Sequence, residues 1–284
     1  MAKVVLYHAD CNDGLMAAAV ISYFEKDPTI TYRPVYYKMP LPDFPHNCDV
    51  ILADFCHNEL GTMLGLLDKC RTLTVIDHHV DALPILNELS KLESSKLHIV
   101  FESDESGAST AWHHYSERPL PKVVKLVKNH DLHVRKTIED DYFHYGVLTQ
   151  NQTITFWTSL IEDETKVLGL ISAGRHIYNF IQNTVIPQVS TKTRYASVCG
   201  FTVPVVNVNR ILQGLVLESM CNVSTVAIAY EDLADGKRKW SVRSSEKTAP
   251  GAAKRIANKF GGGGHHNAAG FLTDTSFMLP FLDM

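Results

Sequence analysis

Short apolar runs alternate with longer amphipathic segments over about the first hundred residues of the chain. The runs that predict β-strands are Lys3–His8, Ile30–Tyr37, Cys48–Asp54, Thr72–Asp77 and Leu97–Glu102. Between them, apolar residues recur every three or four positions, which predicts helices over Gly14–Glu25, Glu59–Lys69 and Ala82–Leu92. This alternation indicates an α/β fold built on a parallel five-stranded sheet with flanking helices.

The pattern changes twice in the remainder of the chain. It first becomes helical, over Ser109–Glu117, over Lys122–Asn129 and from about Glu162 to Val185, before Pro187. Strand-like runs then return, followed by one more helix, and these elements are Tyr195–Thr202, Val203–Val208, Val223–Tyr230, Lys239–Arg243 and the helix Pro250–Phe260. We therefore place a domain boundary near residue 190, so that residues 1–190 form the first domain and residues 191–284 form a smaller α/β domain across a cleft.

Composition excludes several classes of protein. The 284 residues carry 27 Lys and Arg against 31 Asp and Glu, a net charge of −4, and 45% are hydrophobic. A disordered chain is less apolar, and a protein that coats long duplex nucleic acid usually has a basic surplus. No apolar stretch is long enough to predict a membrane span, and the N-terminus leaves no room for a secretion leader. Six cysteines without a Cys-x-x-Cys pair fit a reducing cytoplasm.

Metal-capable residues follow three of the predicted strands. Strand-like segments run into His8, into Asp54 and into the triplet Asp77-His78-His79, and parallel strands bring such ends to one edge of a sheet. The turn after His8 adds Asp10 and Asp13. A single aspartate at a strand end is usually a turn former or a helix cap. The metal site is therefore predicted from the occurrence of these residues together at several strand ends. Oxygen and imidazole donors without a thiolate pair favour manganese or magnesium over structural zinc.

These segments resemble the motifs of the DHH phosphoesterases, a family named for the Asp-His-His that stands here at 77–79. The five segments that carry the resemblance, in the family's order, are HADCNDGLMAAA, LADF with Asp54, VIDHH, KNHDL with Asp131, and FGGGGHHNAAGF at 260–271. The first of them is most similar to the branch that contains the nano-RNases. The resemblance implies a hydrolase of phosphoric esters with two divalent cations, usually Mn²⁺, with Mg²⁺ or Co²⁺ as alternatives.

The resemblance also implies roles for individual residues. Asp54 would bridge the two ions, and His79, together with Asp77, would act in catalysis by contacting the phosphate or protonating the leaving group. Many family members space the two aspartates of the first motif differently, so which of Asp10 and Asp13 completes which metal shell stays open. The expected metal ligands are His8, Asp10, Asp13, Asp54, His78 and Asp131.

The C-terminal region supplies the expected substrate contacts. The stretch 237–260 contains eight Lys or Arg residues and one acid, a net charge of +7. A run of four glycines begins at Gly261, and glycine runs allow a close backbone approach with N–H groups exposed to an anion, although many such runs are only flexible loops. By resemblance, the substrate would be held by Arg243, Ser244, Gly262, Gly263, Gly264, His265 and His266.

The sequence thus predicts a manganese-dependent phosphoesterase that cleaves phosphodiester bonds of short oligonucleotides or dinucleotides. Two alternatives stay open, a phosphatase of 3′-phosphoadenosine 5′-phosphate and a non-catalytic nucleotide-binding protein. A processive exonuclease would need a longer positive track. Substrate length, the preference for RNA or DNA and the oligomeric state, with a homodimer as one option, are left open.

Overall fold

The computed structural model describes residues 2–37, 39–132, 134 and 137–283. The chain divides into two compact units, Met1–Ile177 and Tyr178–Met284. The boundary predicted near residue 190 lies beyond this division, within a helical stretch that continues past the end of the first unit.

The first unit is built on the five-stranded parallel sheet that the sequence predicts. Its strands are β1 (Lys3–His8), β2 (Thr31–Val35), β3 (Asp49–Ala53), β4 (Thr72–Asp77) and β5 (Leu97–Phe101), in the spatial order β2-β1-β3-β4-β5. Every pairing is parallel. The carboxyl ends of β1, β3 and β4 are therefore neighbours at one edge of the sheet.

Helices cover both faces of this sheet. Side chains alternate across a strand, so that Val5 and Ile51 face one apolar core while Leu6 and Leu52 face the other. The helices are α1 (Asn12–Glu25), α2 (Leu60–Lys69), α3 (Leu83–Ser90), α4 (Gly107–Tyr115), α5 (Lys122–Asp131), α6 (Ile138–Val147), α7 (Ile154–Glu162) and α8 (Glu164–Phe180). The sequence analysis missed α6 and α7. Among the described helices, none is both long and apolar enough to cross a membrane.

The long C-terminal helix of the first unit does not stop before Pro187 as predicted. After α8 it continues through a π-helical turn, Ile181–Val185, into α9 (Ile186–Ser190), with Pro187 in the first turn of α9. Proline has no N–H to donate, but the first N–H groups of a helix have no intrahelical partner, so this position accommodates it.

The second unit is a smaller α/β domain with a mixed six-stranded sheet. Its strands are β6 (Arg194–Val198), β7 (Phe201–Asn207), β8 (Val226–Asp232), β9 (Lys237–Ser244), β10 (Gly263–His265) and β11 (Ala268–Asp274), in the order β10-β11-β9-β8-β7-β6. Among the described strands of this unit, only β7 and β8 pair in parallel, and helix α10 (Arg210–Cys221) joins them. Helix α11 (Ala252–Lys259) packs on an apolar core around the fully buried Trp240.

Candidate metal centre

The carboxyl edge of the parallel sheet gathers imidazole and carboxylate groups. His8 is the last residue of β1, Asp54 follows β3 directly, and Asp77 is the last residue of β4. Asp54 has a positive φ of 57°, which turns the chain sharply after β3 and is a conformation that aspartate tolerates better than most residues. Asp54 is almost fully buried, at 1% exposure.

The two oxygens of Asp54 face different imidazoles. Oδ2 lies 3.3 Å from Nδ1 of His8, and Oδ1 lies 3.3 Å from Nε2 of His78. Asp54 therefore belongs to two groups of possible metal donors. One group adds His8 and His79, the other adds Asp13 and His78, and within each group the donor atoms lie within 4.8 Å of one another. A carboxylate in this position can serve two cations at once.

Three carboxylates converge on one nitrogen of His78. Nε2 lies 3.3 Å from Asp54 Oδ1, 3.5 Å from Asp131 Oδ2 and 3.9 Å from Asp13 Oδ2. These three oxygens are buried and accept no hydrogen bond from any residue that the structure describes. Buried polar atoms are almost always paired, so this set of one nitrogen and three oxygens fits a divalent cation.

The pKa shifts of the cluster reflect several carboxylates that are buried close together. Burial and the negative charges of Asp54 and Asp131 raise the pKa of Asp13 well above its usual range, and burial with the charge of Asp54 raises the pKa of Asp131 to about 6. Burial lowers the pKa of His78, but Asp54, Asp13 and Asp131 outweigh it and raise that pKa to about 10. Protons thus occupy a site where carboxylates repel one another, and a cation would replace them.

Asp77 lies beside this cluster and orients His79. Its Oδ1 accepts hydrogen bonds from the backbone N–H groups of His78 and His79, at 2.8 and 3.3 Å, and lies 2.8 Å from Nδ1 of His79. Burial lowers the pKa of His79, but Asp77 and Asp54 raise it to about 9. Asp77 is fully buried, so it can position His79 but is not placed to meet a substrate.

The N-terminus of α4 packs directly against the carboxylates. The Ser106 hydroxyl donates to Oδ1 of Asp13 at 2.6 Å, and the Ala108 N–H donates to the same oxygen at 3.2 Å. A Cβ on Gly107 would lie 2.4 Å from Cβ of Asp54. The small residues at the start of α4 therefore fix both Asp13 and Asp54, and the helix end favours their negative charge.

Two expected residues of the second unit lie in one row across its sheet. Arg243 of β9 pairs with Ala268 of β11, which pairs with His265 of β10. Directly paired residues point to the same face, so Arg243 and His265 flank Ala268 there. The next row on this face consists of small residues, Gly263, Gly270 and Ser241. The Ser241 hydroxyl donates to Oε1 of the buried Gln213 in α10 at 2.6 Å, so α10 packs beside this second row.

Ser244, an expected substrate contact, is buried within the second unit. Its hydroxyl donates to Oδ1 of Asn267 at 3.0 Å, and the same oxygen of Ser244 accepts from the Ala253 N–H at 3.1 Å. Asn267 Oδ1 also accepts from the Gly251 N–H. Ser244 thus helps to hold the N-terminus of α11, and its role as a substrate contact stays a prediction.

The glycine run forms ordered structure in place of an open loop. The Gly262 N–H donates to the Ala257 carbonyl, which closes α11, so it is not presented to an anion. A Cβ on Gly262 would lie 2.0 Å from the Gly270 carbonyl oxygen, and Gly264 has a φ of 134°. Gly263 and Gly264 belong to β10. His266 is exposed, and its ring packs close to Gly251.

Part of the positive charge in 237–260 is neutralised within the unit. Lys237 pairs with Asp274 at 2.7 Å and Arg238 pairs with Asp232 at 2.5 Å, both acids lying outside this stretch. The net charge of the stretch therefore overstates the positive surface that it offers to a ligand.

Comparisons with known proteins give the fold a family context. No family model matches the chain. The uncharacterized protein R106 of Acanthamoeba polyphaga mimivirus is 25% identical to this chain over an alignment of 309 positions. The alignment covers 98% of this chain and 69% of that protein. PggH, a pGpG-specific phosphodiesterase from Vibrio cholerae, has a similar structure, with a TM-score of 0.54 and 12% identity over 97% of this chain and 94% of PggH. The chain has the two-domain α/β fold of the DHH phosphoesterases.

A further structural match has a lower score. An exopolyphosphatase-related protein from Bacteroides fragilis gives a TM-score of 0.47 and 13% identity, over 98% of this chain and 88% of that protein. The similarity to PggH confirms the motif-based prediction of a DHH-like fold, while assignment to the nano-RNase branch stays a prediction.

Within this DHH-like fold, the structure distinguishes the two aspartates that the motif left open. Asp13 lies in the first turn of α1 and is 1% exposed, inside the cluster. Asp10 is exposed in the preceding turn, at a φ of 53°, and it belongs to neither donor group among the described residues. The helical start after Cys11 directs Asp13 inward and leaves Asp10 in the turn.

Two residues that lie beside the cluster were not predicted from the sequence. Burial and the charges of Asp54, Asp131 and Asp13 raise the pKa of Cys11 well above its usual range, so it remains a thiol beside the cluster. Tyr37 packs against His8 and His79. The place of Cys11 inside the first motif could have predicted that it lies near the site. Tyr37 belongs to no motif, and only its position shortly after β2 could have predicted the same.

Replacing Ser106 by alanine tests the support of Asp13 by α4. We expect a loss of about 1 kcal/mol in the free energy of unfolding, because Ser106 caps α4. We also expect metal affinity to fall by about tenfold, because Asp13 loses its hydroxyl donor. Thermal unfolding and calorimetric metal titration measure the two effects.

Thr153→Ala is the matched control for this change. Thr153 caps α7 through the Phe156 N–H and has no contact with the cluster among its described hydrogen bonds. It should lower stability similarly and leave metal affinity unchanged. Equal metal affinities in the two variants would show that Ser106 does not support the metal site.

Proposed function

We propose that this protein is a manganese-dependent phosphoesterase that hydrolyses phosphodiester bonds of short oligonucleotides or dinucleotides. The observation that carries the proposal is the convergence of Asp13, Asp54 and Asp131 on His78, with buried oxygens that accept no described hydrogen bond. The DHH-like fold supports it, because PggH, which shares that fold, is a phosphodiesterase specific for pGpG.

Two donor groups that share Asp54 would hold the two ions. One group contains His8, and the other contains Asp13, His78 and Asp131. When bound, two such ions lower the pKa of a shared water and stabilise the charge on the phosphoryl oxygens. Their donors are all oxygen or imidazole nitrogen, which suits Mn²⁺, with Mg²⁺ and Co²⁺ as alternatives.

His79 acts on the phosphate or the leaving group in this proposal. Asp77 holds its Nδ1, which fixes the plane of the ring. Asp77 and Asp54 raise the pKa of His79, and a protonated imidazole can stabilise a negatively charged oxygen or donate a proton to it. Asp77 is therefore a positioning residue for His79.

The second unit supplies recognition of the nucleotide. Arg243 offers a guanidinium that pairs with phosphate oxygens. His265 stands on the other side of Ala268 in the same row. We assign substrate binding to this surface, with Gly263 and Gly264 shaping its edge.

Replacing Arg243 by alanine is expected to raise the KM for a dinucleotide by about tenfold or more, because a charge-assisted pair with phosphate is lost. The kcat at saturating substrate should change much less. Lys237→Ala is the control, since Lys237 is exposed and paired with Asp274. An unchanged KM for the Arg243 variant would remove this surface from substrate binding.

Metal binding is expected to release protons and to strengthen as the pH rises. The pKa of His78, about 10, lies above neutral pH, so the metal-free site holds a proton there that a cation must displace. Below that pKa, the metal affinity rises by up to about tenfold per pH unit for each proton that metal binding releases. Calorimetric titration with Mn²⁺ at several pH values, in buffers of different ionisation enthalpy, measures both quantities. A pH-independent affinity would contradict the assignment of His78.

The substrate class is tested by comparing initial rates on a panel of compounds. The panel contains labelled dinucleotides, longer RNA and DNA oligomers, cyclic dinucleotides and 3′-phosphoadenosine 5′-phosphate, each with Mn²⁺, Mg²⁺ or Co²⁺. We expect the highest rate on linear dinucleotides with Mn²⁺. A preference for the bisphosphate would make the protein a monoesterase, and metal binding without turnover of any compound would make it a nucleotide-binding protein.

A further inference from the structure

The ring of Tyr37 contacts two imidazoles of the metal centre. Its centroid lies 5.0 Å from that of His8, at an interplanar angle of 72°, and 6.0 Å from that of His79, at 74°. His8 and His79 are themselves 5.8 Å apart at 80°. The three rings therefore pack edge to face with one another, which is a favoured aromatic geometry.

The sheet topology explains why Tyr37 occupies this position. Strand β2 runs parallel to β1, with Val35 opposite His8, so the chain that leaves β2 passes beside His8. Phe55, which is fully buried, packs against the Tyr37 ring at a centroid distance of 4.8 Å and lies 6.4 Å from His8. The Tyr37 ring thus contacts a rigid core residue as well as the two histidines.

Ring orientation matters for His8 because an imidazole binds a metal ion through one nitrogen. His8 presents Nδ1 toward Asp54 at 3.3 Å, and rotation of its ring would move that nitrogen away from the shared carboxylate. Neighbours that fix a ligand's ring plane contribute strongly to metal affinity. His78 differs, because three carboxylates surround its Nε2.

We propose that Tyr37 is a positioning residue that sets the ring planes of His8 and His79, and thereby controls one of the two metal positions selectively. The metal position formed by Asp13, His78 and Asp131 should not depend on Tyr37, because carboxylates surround the His78 nitrogen there. This proposal rests on the proposed metal-dependent function, and it deepens that function by assigning a role to a residue outside the five motifs.

The test is a Co²⁺ titration of the full-length protein, followed by visible absorption and calorimetry. The wild type should bind two ions. In Tyr37→Leu, which removes the ring, one of the two binding events should weaken by about 10- to 100-fold and the other should change by less than about threefold. Tyr37→Met is a second ring-free variant, whose flexible side chain fills the same space if the leucine variant folds poorly.

Two further variants separate the ring from other effects. Tyr37→Phe keeps the ring and should restore both affinities and the absorption spectrum to those of the wild type. Tyr36→Leu makes the same change one residue earlier, where the side chain is 46% exposed, and should behave as the wild type.

Three results would overturn the positioning role. They are equal weakening of both binding events, unchanged binding in both ring-free variants, and a Tyr37→Phe variant that behaves like Tyr37→Leu. A wild-type protein that binds no ion would instead overturn the proposed function itself, so the two failures are distinguishable.

Discussion

Asp54→Asn is expected to lower metal-dependent hydrolysis by at least about a thousandfold, the factor that corresponds to the several kcal/mol a bound metal contributes. Asp54 belongs to both donor groups, and its two oxygens face His8 and His78 separately. Asparagine keeps the shape of the side chain and tolerates the positive φ, but it offers one neutral oxygen in place of two that share a charge. Initial rates at saturating Mn²⁺ measure the effect.

Asp10→Asn provides the matched control for this prediction. Asp10 lies at the same edge of the sheet and also has a positive φ, but it is exposed and outside both donor groups among the described residues. Its variant should keep the wild-type rate within about twofold, since surface substitutions have small effects. Full turnover by the Asp54 variant would remove Asp54 from the bridging role, and a large loss in the Asp10 variant would return Asp10 to the metal shell.

Gly107→Ala is expected to reduce hydrolysis by about a hundredfold or more while leaving the protein folded. The added Cβ would lie 2.4 Å from Cβ and 2.6 Å from Oδ1 of Asp54, so either Asp54 or the start of α4 must move. A displacement of about 1 Å at a catalytic site can cost about a hundredfold in rate. Alanine is a better helix former than glycine, so loss of helix α4 is not the expected cause. Activity and metal affinity should fall together.

Gly61→Ala makes the same change in the first turn of α2, where no atom of the described residues outside that helical turn lies within 4 Å of the added Cβ. It should leave hydrolysis unchanged and stabilise the protein by up to about 1 kcal/mol. If Gly107→Ala retained wild-type activity and metal affinity, the close approach of α4 to Asp54 would not be needed for function.

The sequence predicted the parallel sheet well because its three central strands, β1, β3 and β4, are buried on both faces. Such strands are continuous apolar runs, and each of β1, β3 and β4 ends where a polar residue begins the site. The grouping of His8, Asp54 and Asp77 at one edge then followed from parallel topology alone.

Helix α10 and strand β10 were not predicted. The first has a local sequence signal that was not used, and the second depends on pairing with a neighbouring strand. Helix α10 begins after Asn209, whose side chain accepts from the Ile211 N–H, a recognisable N-cap followed by an apolar periodicity. Strand β10 had no such signal, because glycine has low β propensity and Gly263 is extended only through pairing with β11. Ser244 shows the limit of a motif, because only the contacts with Asn267 and Ala253 reveal its structural role.

Hydrolysis of a linear dinucleotide, measured as a function of added Mn²⁺ after chelator treatment, tests the central claim most directly. We predict no turnover in the metal-free protein and a rate that rises to its full value as the second equivalent of Mn²⁺ binds. Turnover that persists without metal, or a protein that binds both ions and leaves the dinucleotide intact, would contradict a two-metal phosphodiesterase.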